Sequence, residues 1–289
     1  MLLQSLLRPV LTPLMRGMFD APVSSSAAWS PLALWPNGIS SAGMWISPRD
    51  LTSQWQDYQG TTPVVPPGTV ADSSNPVGLA LDIRAGATVL TDPGLHMLQS
   101  TSVDRPLLSA YDGQTLGPGD TYDATGYPVF QKYNGTNSSM ATAAFAAGTL
   151  INGMDCMIPV RRDAGGNAIL CFDLGGISGY FGLINAASET AYNCGTPTVF
   201  VDGVQLAGGT LVMGNTLASA LPVSEFHIVE FRNLDLSTWT RFGMSGFAGG
   251  GYLFNGARGD ILLYPSTAST EDKDAARQWL ADYYGVTLP

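Results

Sequence analysis

From Met44 onward, apolar runs of four to eight residues alternate with clusters of Gly, Pro, Asn and Asp. The segments 77–83, 129–133, 156–160, 168–172, 198–201, 225–231 and 259–264 each have this form, and β-type runs bounded by turn residues predict strands. Asp202-Gly203 separates Val199-Phe200-Val201 from Val204-Gln205-Leu206. That dipeptide supplies the positive φ angles of a two-residue hairpin turn. Residues 141–150 are Ala-rich and fit a helix or a strand of small side chains equally well. One helix stands out near the end. Ser269 or Thr270 can cap it, Glu271 and Asp272 place negative charge at its positive end, and Ala275, Ala276, Trp279, Leu280 and Tyr283 recur at three- and four-residue spacing. Gly285 then ends it. A single amphipathic helix after the last strand is expected to close one side of a sandwich.

Residues 1–43 break this pattern, because Pro9, Pro13, Pro22, Pro31 and Pro36 recur too often for a long helix or a central strand. They read as an arm, with the sandwich domain at 44–289. The arm carries Leu6, Leu7, Leu11, Leu14, Met15, Met18, Phe19, Trp29, Leu34 and Trp35. Leaving such side chains in water costs ~25 cal/mol per Å² of apolar surface, so they need a partner surface. Docking on another chain is the expectation; folding back on the chain's own sandwich is the alternative.

The composition points the same way. Apolar residues make up 45% of the 289 and charged residues 12%, with 34 Gly and 19 Pro, the profile of an all-β sandwich or barrel. The net charge is −10, and the thirteen Lys and Arg are scattered. That lacks the cationic footprint needed for phosphate backbones or anionic lipid, so nucleic acid and membrane are not expected partners. Cys156, Cys171 and Cys194 lie far apart with no CxxC pair, and an odd number cannot be fully paired within the chain. They are expected as reduced, buried thiols. Leu2, Leu3, Leu6 and Leu7 are interrupted by Gln4 and Ser5 and ended by Arg8 and Pro9, unlike a secretory signal. No later stretch reaches the ~18 apolar residues of a membrane span. Synthesis in the cytoplasm of the producing cell is expected.

Several blocks, in order, resemble a family of phage and prophage proteins that carry a concanavalin A-like, laminin-G-type domain behind a short N-terminal arm. Ser30-Pro31-Leu32-Ala33-Leu34-Trp35 and Trp45-Ile46-Ser47-Pro48-Arg49-Asp50-Leu51 match its first two motifs. Trp55-Gln56-Asp57, Gly60-Thr61-Thr62-Pro63-Val64, Pro76-Val77-Gly78-Leu79-Ala80-Leu81-Asp82, and His96-Met97-Leu98-Gln99 with Arg105-Pro106 match the next. Tyr133-Asn134-Gly135, Val201-Asp202-Gly203 and the run from Phe254-Asn255-Gly256 to Tyr264 and Gly285 resemble laminin-G-like sandwiches more generally. Ser47 and Asn134 stand where the family carries acids, and the segment between Asp82 and His96 is longer than usual. The resemblance implies a jelly-roll sandwich with a terminal helix. It further implies a virion location, an arm docked on other virion proteins, homo-oligomer formation, and a lectin-like domain that decorates the particle or binds host-surface glycan. No heptad or repeat supports oligomer formation independently.

Catalytic chemistry is not expected. Sandwich glycosidases of this fold need carboxylates flanking one bond from the same face. Of Glu189, Glu225, Glu230 and Glu271, only Glu225 and Glu230 are neighbours, and that spacing sends them to opposite strand faces. A nucleophilic triad has only His96 and His227 to draw on, with no Gly-x-Ser-x-Gly elbow. His227 alternates with Phe226 and Ile228 as a hydrogen-bonded structural histidine would, and His96 is assigned to turn structure. No cofactor is expected. The weak candidates for Ca²⁺ are Asp112, Asp120 and Asp123 in the Gly-rich stretch 111–126, and Asp and Gly are equally the ordinary residues of turns. Gly165-Gly166 and Gly249-Gly250-Gly251 lack the Lys and helix of a phosphate loop and read as hairpin tips. A glycan platform would draw on Tyr180, Tyr192, Trp239, Phe247 and Tyr252, which fall in or beside predicted loops, although sandwiches also bury aromatics.

Overall fold

The computed structural model describes residues 29–67, 74–110, 128–163, 165–173, 179–207, 212–245 and 252–289. Short strands dominate them. In the first half these are β1 (Met44–Ile46), β2 (Gln54–Trp55), β3 (Leu79–Ala80), β4 (Met97–Leu98), β5 (Leu107–Ala110), β6 (Val129–Asn134) and β7 (Met140–Thr142). Longer strands follow: β8 (Asn152–Arg162), β9 (Ala168–Asp173), β10 (Tyr180–Ile184), β11 (Ala191–Tyr192), β12 (Thr198–Val201) and β13 (Val204–Gln205). After a short helix α1 (Gly214–Ala220) come β14 (Phe226–Asp235), β15 (Phe242–Met244), β16 (Asn255–Arg258), β17 (Ile261–Pro265) and the terminal helix α2 (Thr270–Tyr284).

All strand pairs in the two sheets are antiparallel. One sheet runs β13-β12-β14-β8-β16-β6-β5, with β17 also on β8 and β1 on β17; the other runs β11-β10-β9-β15-β7-β4-β3-β2. The fold is therefore an all-β sandwich closed by a C-terminal helix, as the alternating pattern predicts. Strand β8 organises the first sheet. One of its edges pairs with β14 along its length, from Arg161 opposite Phe226 to Asn152 opposite Asp235. The other edge is shared: β17 pairs with Met154 to Met157, and β16 with Val160 to Arg162. Gly259 and Asp260 form the bend between those two strands. A side chain at Gly259 would place its Cβ 2.4 Å from the Tyr284 ring, so only glycine lets α2 pack this closely.

Side chains alternate across the sheet with the strand period. Val229 and Phe231 of β14 enter the main core with Met154, Cys156 and Ile158 of β8, whereas Phe226 packs on Tyr284 (ring centroids 5.1 Å apart) and Glu230 meets Arg277 of α2. Ser269 caps α2 by accepting a hydrogen bond from Asp272 N–H at 3.0 Å, and Gly285 ends it at φ 69°. The stripe that faces the sheet is Ala276, Arg277, Leu280, Ala281 and Tyr284. Of the predicted apolar positions, Ala275, Trp279 and Tyr283 flank that stripe half-buried. The stripe is displaced because Arg277 turns inward to a buried carboxylate. Trp279 meets Trp45 edge-on at 5.9 Å and lies under the Arg49 guanidinium at 3.4 Å.

The Asp202-Gly203 hairpin forms as predicted, with φ of 51° and 84° at its two turn residues. Residues 141–150 are neither a helix nor one strand: Met140–Thr142 pairs in the sheet, 143–146 is irregular and a turn and bend follow at 147–150. Helix α1 is an addition to the single helix expected. The compact unit containing the sandwich spans Pro31–Pro289, so 31–43, read as the end of the arm, packs within it. Leu34 and Trp35 are buried, and Trp35 is 2% exposed, donates from Nε1 to the Leu263 carbonyl at 3.1 Å and meets Tyr264 edge-on at 6.3 Å. Trp35 is thus a core residue and not a docking residue. Trp29 is half-buried; Leu6, Leu7, Leu11, Leu14, Met15, Met18 and Phe19 lie outside the described residues.

Candidate functional site

The register of the second sheet aligns aromatic side chains across its outer face. Tyr192 of β11 is opposite Tyr180 of β10, Tyr180 is opposite Phe172 of β9, and Phe172 is opposite Gly243 of β15. Directly opposed residues share a face, so these form one row. Its inner end is sealed, since a Cβ at Gly243 would sit 2.5 Å from the Phe172 ring. Its outer end is open: Tyr192 is 51% exposed and stacks on Tyr180 with centroids 5.7 Å apart and planes at 28°. Tyr252, 39% exposed, joins this patch. Its carbonyl accepts from Ile169 N–H at 2.9 Å, and Ile169 packs with Phe172 of the row and Leu183 in one cluster. The Tyr180 phenol is held above its ordinary pKa, by burial first and then by Tyr252, Glu189, Cys194 and Tyr192.

The structure therefore brings together three of the five predicted platform residues. Trp239 is a correction: it is fully buried, packs against Phe181 and Phe242 (centroids 5.8 and 5.9 Å), and donates from Nε1 to the Asn193 carbonyl at 3.3 Å. An indole can be buried at a loop once its N–H has an acceptor, and loop position alone does not reveal that acceptor. Phe247 lies outside the described residues, as do Asp112, Asp120 and Asp123. Among the described residues no group of three or more His, Cys, Asp or Glu side chains is placed as a metal site.

Several titratable residues outside this patch have structural partners. His96 Nδ1 accepts from Asp82 N–H at 3.0 Å, and Nε2 lies 2.8 Å from the Asp92 carbonyl, to which it donates. These two bonds tie the ring, just before β4, to Asp82 and to the bend at Asp92. His227 Nδ1 lies 2.6 Å from Asp202 Oδ2, while Asp202 Oδ1 accepts from Ile228 N–H at 2.7 Å. Buried carboxylates are matched to cations: Asp82 to Arg84 at 2.7 Å, Asp155 to Lys273 at 2.8 Å, and Glu230 to Arg277 at 2.8 Å. Asp260 accepts from Trp45 Nε1 at 3.0 Å and from the Tyr284 hydroxyl at 2.9 Å. All three cysteines are free and buried. Burial pushes the Cys194 thiol up to about 12 and the Cys171 thiol well above its ordinary value.

Two residues of the blocks that carried the family resemblance make contacts of this kind. Arg105 holds the Gln99, Gln56 and Ser100 carbonyls, and Asn134 caps the N–H groups of Thr136, Asn137 and Ser138. The described residues also form a small polar cavity lined in part by Arg162, Asn167 and Asn255, which sequence reasoning missed because Gly165-Gly166 signalled only a hairpin tip. No protein-family model, curated protein or solved structure matches the chain.

Proposed function

We propose that this chain is a non-catalytic recognition component of a tailed-phage particle. In this reading the N-terminal segment anchors it to other virion proteins, and a lectin-like sandwich of the concanavalin A kind presents Tyr180, Tyr192 and Tyr252 to host-surface glycan. The tyrosine face carries the glycan part. An exposed, stacked aromatic pair offers a flat apolar surface for a sugar ring, and phenol hydroxyls at its edge donate and accept hydrogen bonds. Strand pairing on a packed sheet holds the pair rigid, which lowers the entropy cost of binding. The particle part rests on the ordered sequence resemblance.

Two experiments test the reading. The full chain on a glycan array is expected to bind a defined set of sugars, and Tyr192→Ala is expected to weaken that binding tenfold or more, about 1.4 kcal/mol, without moving the unfolding midpoint. No binding at high protein concentration, or unchanged binding by the variant, would overturn the glycan reading. Mass spectrometry of purified particles from the producing strain should find the chain; its absence would remove the particle reading.

A further inference from the structure

We propose that the cavity between the β8–β9 hairpin and the start of β16 is a subsite for a sugar residue bearing a carboxylate, with Arg162 as its anion-binding group. The inference rests on the glycan reading and specifies its ligand class. The cavity holds about 260 Å³ and is lined by Arg162, Gly165, Gly166, Asn167, Leu253 and Asn255, among others. That is below the about 300–1,000 Å³ typical of drug-sized ligands and suits a single ring.

Arg162 differs from most of the other buried arginines. Arg84, Arg161 and Arg277 each meet a carboxylate, whereas the fully buried Arg258 donates to the Gln131 amide. Arg162 is 8% exposed, and its Nη1 donates to the Ala218 and Leu221 carbonyls at 3.0 and 2.9 Å, at the end of α1. No carboxylate pairs with it among the described residues. Nε and Nη2 remain as donors for a ligand, and two parallel N–H groups on one guanidinium edge match a carboxylate in bidentate fashion. A cation without a counter-charge in a recessed site attracts an anion far more strongly than one in open water, and here it does so in a chain of net charge −10. Burial correspondingly lowers the pKa of Arg162 with no partner to offset it.

Among the described residues a Cβ at Gly165 or Gly166 would meet nothing within 4 Å, so the hairpin tip leaves room for a ring against its backbone. The cavity and the tyrosine face adjoin through the chain: Tyr252 directly precedes Leu253 of the lining, a step of about 4 Å between Cα atoms. A short oligosaccharide reaches both, stacking on the tyrosines with its acidic residue at Arg162.

The test is calorimetric titration of the full chain with three matched trisaccharides: one ending in a hexuronate, its methyl ester, and the neutral hexose counterpart. The acid is expected to bind at least tenfold more tightly than the other two, with the advantage shrinking as salt rises. Asn167→Asp places a negative charge at the exposed mouth without touching the core, and it should bring the acid-to-neutral ratio close to one, as should Arg162→Gln. Equal binding of acid and ester, or an unchanged ratio in Asn167→Asp, would overturn this inference while leaving the glycan reading standing. Failure of all three sugars to bind would overturn this inference, and the glycan array decides the glycan reading separately.

Discussion

Replacing Arg277 with Met should destabilise the sandwich through a single buried oxygen. The Glu230 side chain is 1% exposed. Its Oε2 accepts from Arg277 Nη2 at 2.8 Å and Nε at 3.3 Å, and its Oε1 accepts from Arg232 Nε at 2.6 Å. Burial disfavours the charged forms of both arginines, yet Glu230 outweighs it and holds their pKa values above the ordinary one. Stripping a buried charge of its partner costs about 3–5 kcal/mol. Because Arg232 stays, the expected loss falls at or below the bottom of that range, about 2–3 kcal/mol, or roughly 4–12 °C in Tm for a chain of this size. Urea unfolding followed by tryptophan fluorescence measures it. The double variant Glu230→Leu/Arg277→Met removes the charge together with its partner and should cost less than Arg277→Met alone, since apolar replacement of a whole buried pair is often neutral. Arg232, 28% exposed over the Phe200 ring, then turns to water. A loss under about 0.5 kcal/mol for Arg277→Met, the scale of an ordinary surface substitution, would refute the reasoning, as would a double variant whose cost is the sum of the singles.

Two further outcomes follow from titratable groups. Burial raises the Asp57 carboxyl, but the Thr61 and Thr62 N–H groups, the Thr61 hydroxyl and the Gln59 N–H together draw it down from 3.8 to about 2. Its folded-state pKa lies below the unfolded value, so its stabilisation is complete above about pH 4 and is lost as pH falls through about 2. After discounting for its exposure this amounts to about 1 kcal/mol. Asp57→Asn should lose that increment at pH 5 and none at pH 1.5, and an NMR titration midpoint near 3.8 would contradict it. Burial has raised the Cys171 and Cys194 thiols, and all three cysteines are buried. A thiol reagent at pH 8 should therefore react with none in the native chain within minutes and with three in urea, and rapid native reaction would show that the core is more open than described.

Strands β6, β9 and β12 fall at or within one residue of the predicted bounds, because their alternation and bounding turns are local. Strands β5, β10 and β16 were not read although each has four residues or more, and the predicted run 77–83 pairs only at Leu79–Ala80. Strands β2, β4 and β11 have two residues each, too few for a period, and their pairing depends on neighbours distant in sequence. Helix α1 has no side-chain cap and begins Gly214-Asn215-Thr216, so no helix signal marked it. Trp35 and Trp239 were misplaced for one physical reason: a tryptophan in a loop is exposed or buried according to whether its N–H finds an acceptor, and those acceptors, Leu263 and Asn193, lie far along the chain. Tyr180 and Tyr192 were identified singly as candidates. Their stacking required the β10–β11 register, which composition does not encode.

The double occupancy of one edge of β8 also governs when this protein can fold. Trp35 waits for a carbonyl 228 residues downstream, and β1 waits for β17, which is among the last strands made. At about 5–20 residues per second, the first strand of the sandwich spends roughly 10–45 s without its partner as the chain emerges. Contacts this distant make for slow β-type folding. A chain truncated before Ile261 would present half of the β8 edge unpaired, an open template for other chains. Residues 261–289, with β17 and α2, therefore cover this half of the β8 edge and remove one template for aggregation.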